Sequence, residues 1–291
     1  MIVDCHTQIW DASIRPGLAE GSLIASGAAA DANRLLEAVD PVDRAIVLAF
    51  KSRYLETEIP NRFVADWVRR YSAKLVGFAG IDPTERDWRE ELRLAQEELH
   101  LKGVRVCPAL QNYHPTDTRA MRLYEACVSR GMPIVFDQHH RNPAAKLEFA
   151  RPMLLDEIAR EFRDLRIVIS HMGFPWVEET IVLLGKHAHV YADIAGIMRQ
   201  PWLAYNALLA AYEYGVMDKL LFASGFPHRV PAECIEALYS INQLSHGSNL
   251  KVIPREQLRG IVERNALTLL GIEAATPHPN KSKVGILADD E

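Results

Sequence analysis

The stretch Ile2-Val3-Asp4-Cys5-His6-Thr7-Gln8-Ile9-Trp10 decides how this chain is read. Branched and aromatic residues interleave with polar ones, as in a strand. Strand side chains alternate between two faces. Asp4, His6 and Gln8 are therefore expected on one face, and Cys5, Thr7 and Ile9 on the other. A row of Asp, His and Gln in an apolar strand costs free energy unless those groups are paired or used. Two readings follow: a hydrogen-bonded polar cluster, or the first strand of a barrel whose mouth holds the chemistry.

Outward from this strand, the pattern repeats. Residues 44–50, 75–81, 102–108, 133–140, 165–171, 190–194 and 220–225 are further apolar runs, read as strands two to eight and their exits. Between them apolar residues recur at helical spacing, as in Trp88, Leu92, Ala95 and Leu99, or Met121, Tyr124 and Val128. Asp31 is placed to cap a helix reaching Val39, Pro60 to open one, and Gly131 to end one. Strands alternating with helices imply parallel pairing through crossover helices. Eight such units predict an α/β fold, a single-domain (β/α)8 TIM barrel. The rival is a doubly wound open sheet, but no Gly-rich phosphate loop follows the first strand. The barrel is expected over residues 1–272, with a polar C-terminal tail over 273–291. Residues 11–30, rich in Gly, Ala and Ser, read as a mobile loop above the barrel.

Composition bounds the function. The 291 residues suit one α/β barrel, and 48% hydrophobic with 24% charged residues is a soluble globular profile. A net charge of −5 argues against a nucleic-acid footprint or a polybasic membrane patch. No apolar run reaches a membrane span. The N-terminus enters a strand at once, without a signal-like core, so a cytoplasmic protein is expected. Cys5, Cys107, Cys127 and Cys234 are widely spaced, so reduced, buried thiols are expected.

Barrel active sites lie at the C-terminal ends of the strands. Those ends carry Asp4, His6 and Gln8, then Arg105 and Cys107, then Asp137, His171, Asp193 and Gly225, with His139, His140 and His228 just beyond. An inward Arg105 needs an anionic partner, either a substrate carboxylate or Asp4 or Asp137. Trp10, Phe174, Trp176 and Phe226 either wall a small ring or pack the core. Tyr191 and Asp193 read as supports of the barrel.

Asp4-x-His6-x-Gln8 resembles the Asp-x-His-x-His opening of amidohydrolase-superfamily barrels. Ser170-His171-Met172-Gly173 is similar to the sixth-strand motif of the amidohydrolase-2 group. Leu221-Phe222-Ala223-Ser224-Gly225-Phe226-Pro227-His228 is similar to its eighth-strand Gly-Ser-Asp-x-Pro-His motif, with Gly225 in place of the Asp, and Asn265 to Gly271 to its C-terminal helix. That group includes aminocarboxymuconate-semialdehyde decarboxylase and resorcylate-type decarboxylases. The resemblance implies a hydrolase of a small carboxylated or cyclic substrate, a lactone or amide. Its alternatives are a non-oxidative decarboxylase or a catalytically silent ligand-binding barrel. Catalytic roles fall on His6, Asp137 and His171, and substrate contacts on Gln8, Arg105, His139, His228, Trp10 and Phe174. Metal-using members take ligands from two first-strand His, a fifth-strand His and an eighth-strand Asp. Here those positions hold His6, Gln8, Asp137 and Gly225. The resemblance therefore implies no cofactor or a weakly bound divalent metal such as zinc, with His6, Asp137 and His171 as its ligands if one binds. The expected partner is an anionic small molecule, with a homodimer as a further expectation.

Overall fold

Branched and aromatic residues fill the short runs Val3–Thr7, Arg44–Leu48, Leu75–Gly80, Gly103–Val106, Ile134–Phe136, Ile167–Ile169, Val190–Asp193 and Leu220–Leu221, and each forms a strand. They are the eight barrel strands, here counted first to eighth. The structure, a computed structural model, describes residues 1–10, 31–138 and 142–274. Each strand pairs in parallel with the next in sequence. The seam between eighth and first is closed by backbone bonds from Cys5 N to Phe222 O (2.9 Å), Gly225 N to His6 O (3.0 Å) and Gln8 N to Phe226 O (3.0 Å). A parallel bridge from Thr7 to Phe226 completes it. The expected single-domain α/β barrel is the observed fold. Residues 11–30 and most of the expected 273–291 tail fall outside the described residues.

Alternation sorts the strand side chains into two apolar layers. Val3, Cys5, Ile46, Leu48, Val76, Phe78, Val135, Val168, Tyr191 and Leu221 form the inner cluster. Ala266, Leu267 and Leu270, from the helix Ala266–Leu269 and just beyond it, pack onto that cluster. Ala45, Val47, Leu75, Val104, Val106, Ile134, Phe136, Ile169 and Phe222 pack outward against the helices. Buried apolar surface of this extent, at about 25 cal/mol per Å², is the main force holding the barrel. The four cysteines are free and buried, as expected. Among the described residues no helix is long and apolar enough to cross a membrane.

Three local features depart from the sequence reading. The second run breaks at Ala49 and continues into an antiparallel hairpin, Phe50–Ser52 with Thr57–Ile59. The last helical stretch is two helices, Arg255–Glu263 and Ala266–Leu269, because Asn265 caps the second by accepting from Thr268 N. The third is the most consequential: the pairing of first and second strands shifts register between Asp4 and Thr7. Val3 and Cys5 face inward, while Asp4 pairs with Ala45 of the outer layer. An irregularity of this kind re-aims the side chains that follow it. The expectation that Asp4 shares a face with His6 is thereby corrected.

Candidate active site

His6, freed from strict alternation by that shift, turns into the mouth beside His171, with ring centroids 4.8 Å apart. Its Nδ1 lies 3.1 Å from Asp193 Oδ2. A protonated Nδ1 donates to that carboxylate, and the Gln8 amide nitrogen, which can only donate, makes Nε2 the acceptor. Gln8 Nε2 faces His6 Nε2 at 3.4 Å, where the amide donates.

Asp193 is the organising carboxylate of this half of the site. It ends the seventh strand, on the same face as inward-facing Tyr191. Its Oδ1 accepts from the backbone N–H groups of His171 (2.9 Å) and Ala195 (3.0 Å). Burial alone would raise its carboxyl, but the His6 ring and the His171 ring and N–H outweigh that and hold it below the usual range. The sequence reading placed it as barrel support. Its position at an inward strand end was the signal that could have marked it.

His171 sits on a left-handed turn, with φ of 57° at His171, 50° at Met172 and 66° at Gly173. Non-glycine residues reach this region only when the surroundings hold them there, and the bond from His171 N to Asp193 is one such hold. Gly196 packs against the ring; a Cβ there would stand 3.2 Å from His171 Nδ1. His171 Nδ1 lies 2.9 Å from Ala195 O and Nε2 lies 3.3 Å from Asp137 Oδ1. Both neighbours are acceptors, so both ring nitrogens are best served as donors, an arrangement that favours the imidazolium form. Burial opposes that charge, yet Asp137, Asp193 and the Ala195 carbonyl prevail and raise the pKa above its ordinary value.

Asp137 leaves the fifth strand on the inward face. Its Oδ2 accepts from Arg105 Nε at 2.8 Å and from an Arg105 terminal nitrogen. Its Oδ1 accepts from Ser170 Oγ at 3.0 Å. Arg105, 2% exposed, also donates to Ala49 O (3.4 Å) and lies over the Phe50 ring (4.9 Å). Of the partners expected for Arg105, the structure supplies Asp137. Asp4 instead accepts from Ser224 N (2.9 Å), Ser224 Oγ (2.5 Å) and His6 N (3.2 Å), tying the first strand to the eighth.

The remaining expected contacts divide. Gln8, Phe174 and His228 are partly buried around the strand exits. Trp10 and Phe226 are buried in the helix-facing core. His139 and His140 lie outside the described residues.

A resident metal would draw its ligands from this set. His6, His171 and Asp193 bring one donor atom each within 4.8 Å of one another, whereas the resemblance pointed to His6, Asp137 and His171. A catalytic zinc takes three protein ligands. Asp193 has spent one oxygen on two N–H groups and the other on His6. His171 has spent both nitrogens, which leaves His6 Nε2 as the one donor of the three not already bonded to a fixed acceptor or ion partner. Gly225 offers no side chain, and its φ of 73° disfavours one. The arrangement as it stands does not fit a tightly held ion.

Proteins of known structure share this architecture. A probable 2-pyrone-4,6-dicarboxylic acid hydrolase from Acinetobacter baumannii, with citric acid bound, superposes with a TM-score of 0.69 at 17% identity, over 93% of this chain and 99% of that one. A dihydroxybenzoic acid decarboxylase from Polaromonas sp. JS666, with manganese and 2-nitroresorcinol, gives 0.67 at 15% identity, over 94% and 98%. An amidohydrolase from Burkholderia multivorans with bound zinc gives 0.68 at 14% identity, over 94% and 100%. No curated protein matches the chain. The amidohydrolase family profile Amidohydro_2 matches residues 3–272, almost the whole of the barrel whose mouth has just been described, and the chain belongs to that family.

Proposed function

We propose that this barrel is a hydrolase that opens a small carboxylated ring ester or lactone. The observation that carries the reading is the alignment Asp193–His6, with His6 Nε2 turned towards the Gln8 amide beside the charged His171 ring. A carboxylate that fixes the tautomer of a histidine makes its other nitrogen a general base. In the proposed step His6 Nε2 takes a proton from water, and the hydroxide oxygen bonds to the carbonyl carbon. The His171 charge stabilises the oxyanion through space, since its two N–H groups are engaged elsewhere. The ring C–O bond then breaks and the proton returns from His6 to the leaving oxygen.

A carboxylated ring is favoured because the hydrolase and the decarboxylase of similar fold are both named for such compounds. The same names support a second reading, loss of carbon dioxide from an aromatic acid. The deciding experiment offers the purified protein a panel of carboxylated lactones, a pyrone dicarboxylate among them, and of dihydroxybenzoates. Ring opening is followed by ultraviolet absorbance and carbon dioxide by a coupled assay. Ring opening that falls by about 10²–10⁴-fold in His6→Ala is expected for loss of a general base. Carbon dioxide release without ring opening would establish the decarboxylase, and no turnover of either class the silent barrel.

A further inference from the structure

The charges in the mouth close on themselves. Asp137 is held by the Arg105 guanidinium and lies 3.3 Å from the His171 ring. Asp193 is held by the His6 ring and by two backbone N–H groups, one of them that of His171. Two buried carboxylates thus face one guanidinium, two histidine rings and two backbone N–H groups. A buried carboxylate is tolerable only when such compensation is present. In a metal-bearing barrel, the ion is the largest local positive charge and supplies that compensation.

We infer that the Arg105 guanidinium takes the electrostatic place of a divalent ion against Asp137, so that this site is built to work without a resident metal and to reject one. Two independent features of the chain agree. Gln8 and Gly225 stand where the family resemblance places metal ligands, and neither brings a carboxylate or imidazole. Arg105 reaches Asp137 from the neighbouring strand, whose residue Val106 pairs with Phe136 immediately before it. A divalent ion entering beside His6 Nε2 would meet the His171 ring, whose centre lies 4.8 Å from that of His6 and whose two nitrogens already face Ala195 O and Asp137 Oδ1. It would find no carboxylate oxygen lacking a hydrogen-bonded partner on Asp137 or Asp193.

The inference rests on the reading of this mouth as the active site, but its test does not use turnover. Full-length protein without a polyhistidine tag is expressed in medium containing zinc and manganese. It is analysed by plasma mass spectrometry, then titrated with zinc chloride by calorimetry. Less than about 0.1 metal per chain is expected, with no change in Tm on adding zinc or chelator, because metal that binds the native site would stabilise it. Arg105→Gln releases Asp137 and is expected to bind zinc at least about tenfold more tightly than the unsubstituted chain. About one zinc per chain, lost in His6→Ala, would overturn the inference. A folded Arg105→Gln protein that binds zinc no better than the original would do the same. Should that variant not fold, the metal content and titration of the unsubstituted chain decide alone. A metal-free protein without turnover refutes the proposed function and leaves this inference standing; a zinc-loaded protein with turnover does the reverse.

Discussion

The exits of the sixth and eighth strands carry nearly the same local design. One reads Ser170-His171-Met172-Gly173-Phe174-Pro175 and the other Ser224-Gly225-Phe226-Pro227. In each, a serine hydroxyl donates to a buried aspartate from another strand: Ser170 to Asp137 at 3.0 Å, Ser224 to Asp4 at 2.5 Å. In each, the next residue has a left-handed backbone, φ 57° at His171 and 73° at Gly225. The Phe–Pro peptide is cis in both. What differs is charge. Asp137 faces the Arg105 guanidinium and the His171 ring. The hydrogen-bond donors of Asp4 are a hydroxyl and two backbone N–H groups, all neutral. Burial lifts its carboxyl from 3.8 to about 6, against the pull of Ser224 and His6. One frame thus serves as a charged corner of the active site. The other is a latch on the barrel seam, held by neutral donors alone, whose carboxyl gives up its proton only as pH rises past about 6.

The comparison breaks most visibly at Arg105. Arg105→Met should cost about 3–5 kcal/mol of stability, since it strands a buried carboxylate, as urea unfolding will show. The affinity of an anionic ligand should change little, because the guanidinium is already bound to Asp137. A variant of normal stability that loses ligand affinity would instead return Arg105 to the role of substrate clamp.

Asp4→Asn should act in the opposite direction. A folded-state pKa of about 6 against 3.8 means that folding favours the protonated carboxyl. That contribution is fully present below 3.8 and is lost as pH rises through about 6. At 1.36 kcal/mol per pH unit, the loss is about 3 kcal/mol. The asparagine amide can still accept from Ser224 N while donating to Ser224 Oγ. Thermal melts of Asp4→Asn should therefore lack the decline between pH 4 and 7, and at pH 8 the variant should melt higher than the original chain. A variant that melts lower throughout would show that the Asp4 charge itself holds the seam.

The smallest effect is expected at Gly225. An added Cβ would meet Ala195 Cβ and Gly196 N at 3.5 Å, an ordinary contact. Gly225→Ala should thus cost about 1–2 kcal/mol, the penalty of a left-handed backbone alone. A much larger loss in the melting temperature would mean that the two exits differ in packing and not only in charge.

Much of this site is legible in the sequence. Strand exits are marked by polar residues following apolar runs, and parallel order brings successive exits to one rim. His6 and His171 are separated by 165 positions but both lie at such exits, and their rings meet. Asp193 carried the same mark at the end of the seventh strand. On sequence alone it reads as scaffold, because a lone carboxylate says nothing about its partner. Arg105 was open between a substrate and two aspartates for the same reason.

By itself, the sequence determined the eight-strand order, the layering of apolar side chains and the absence of a carboxylate or imidazole at Gln8 and Gly225. These follow from periodicity and side-chain chemistry, which are local properties of the chain. The tertiary structure alone decided that the register slips between Asp4 and Thr7, sending Asp4 to the seam and His6 to the mouth. It also decided that Arg105 is spent on Asp137. Strand register and ion pairing depend on which strands lie side by side and how far each is displaced, and no stretch of one strand encodes the position of its neighbour.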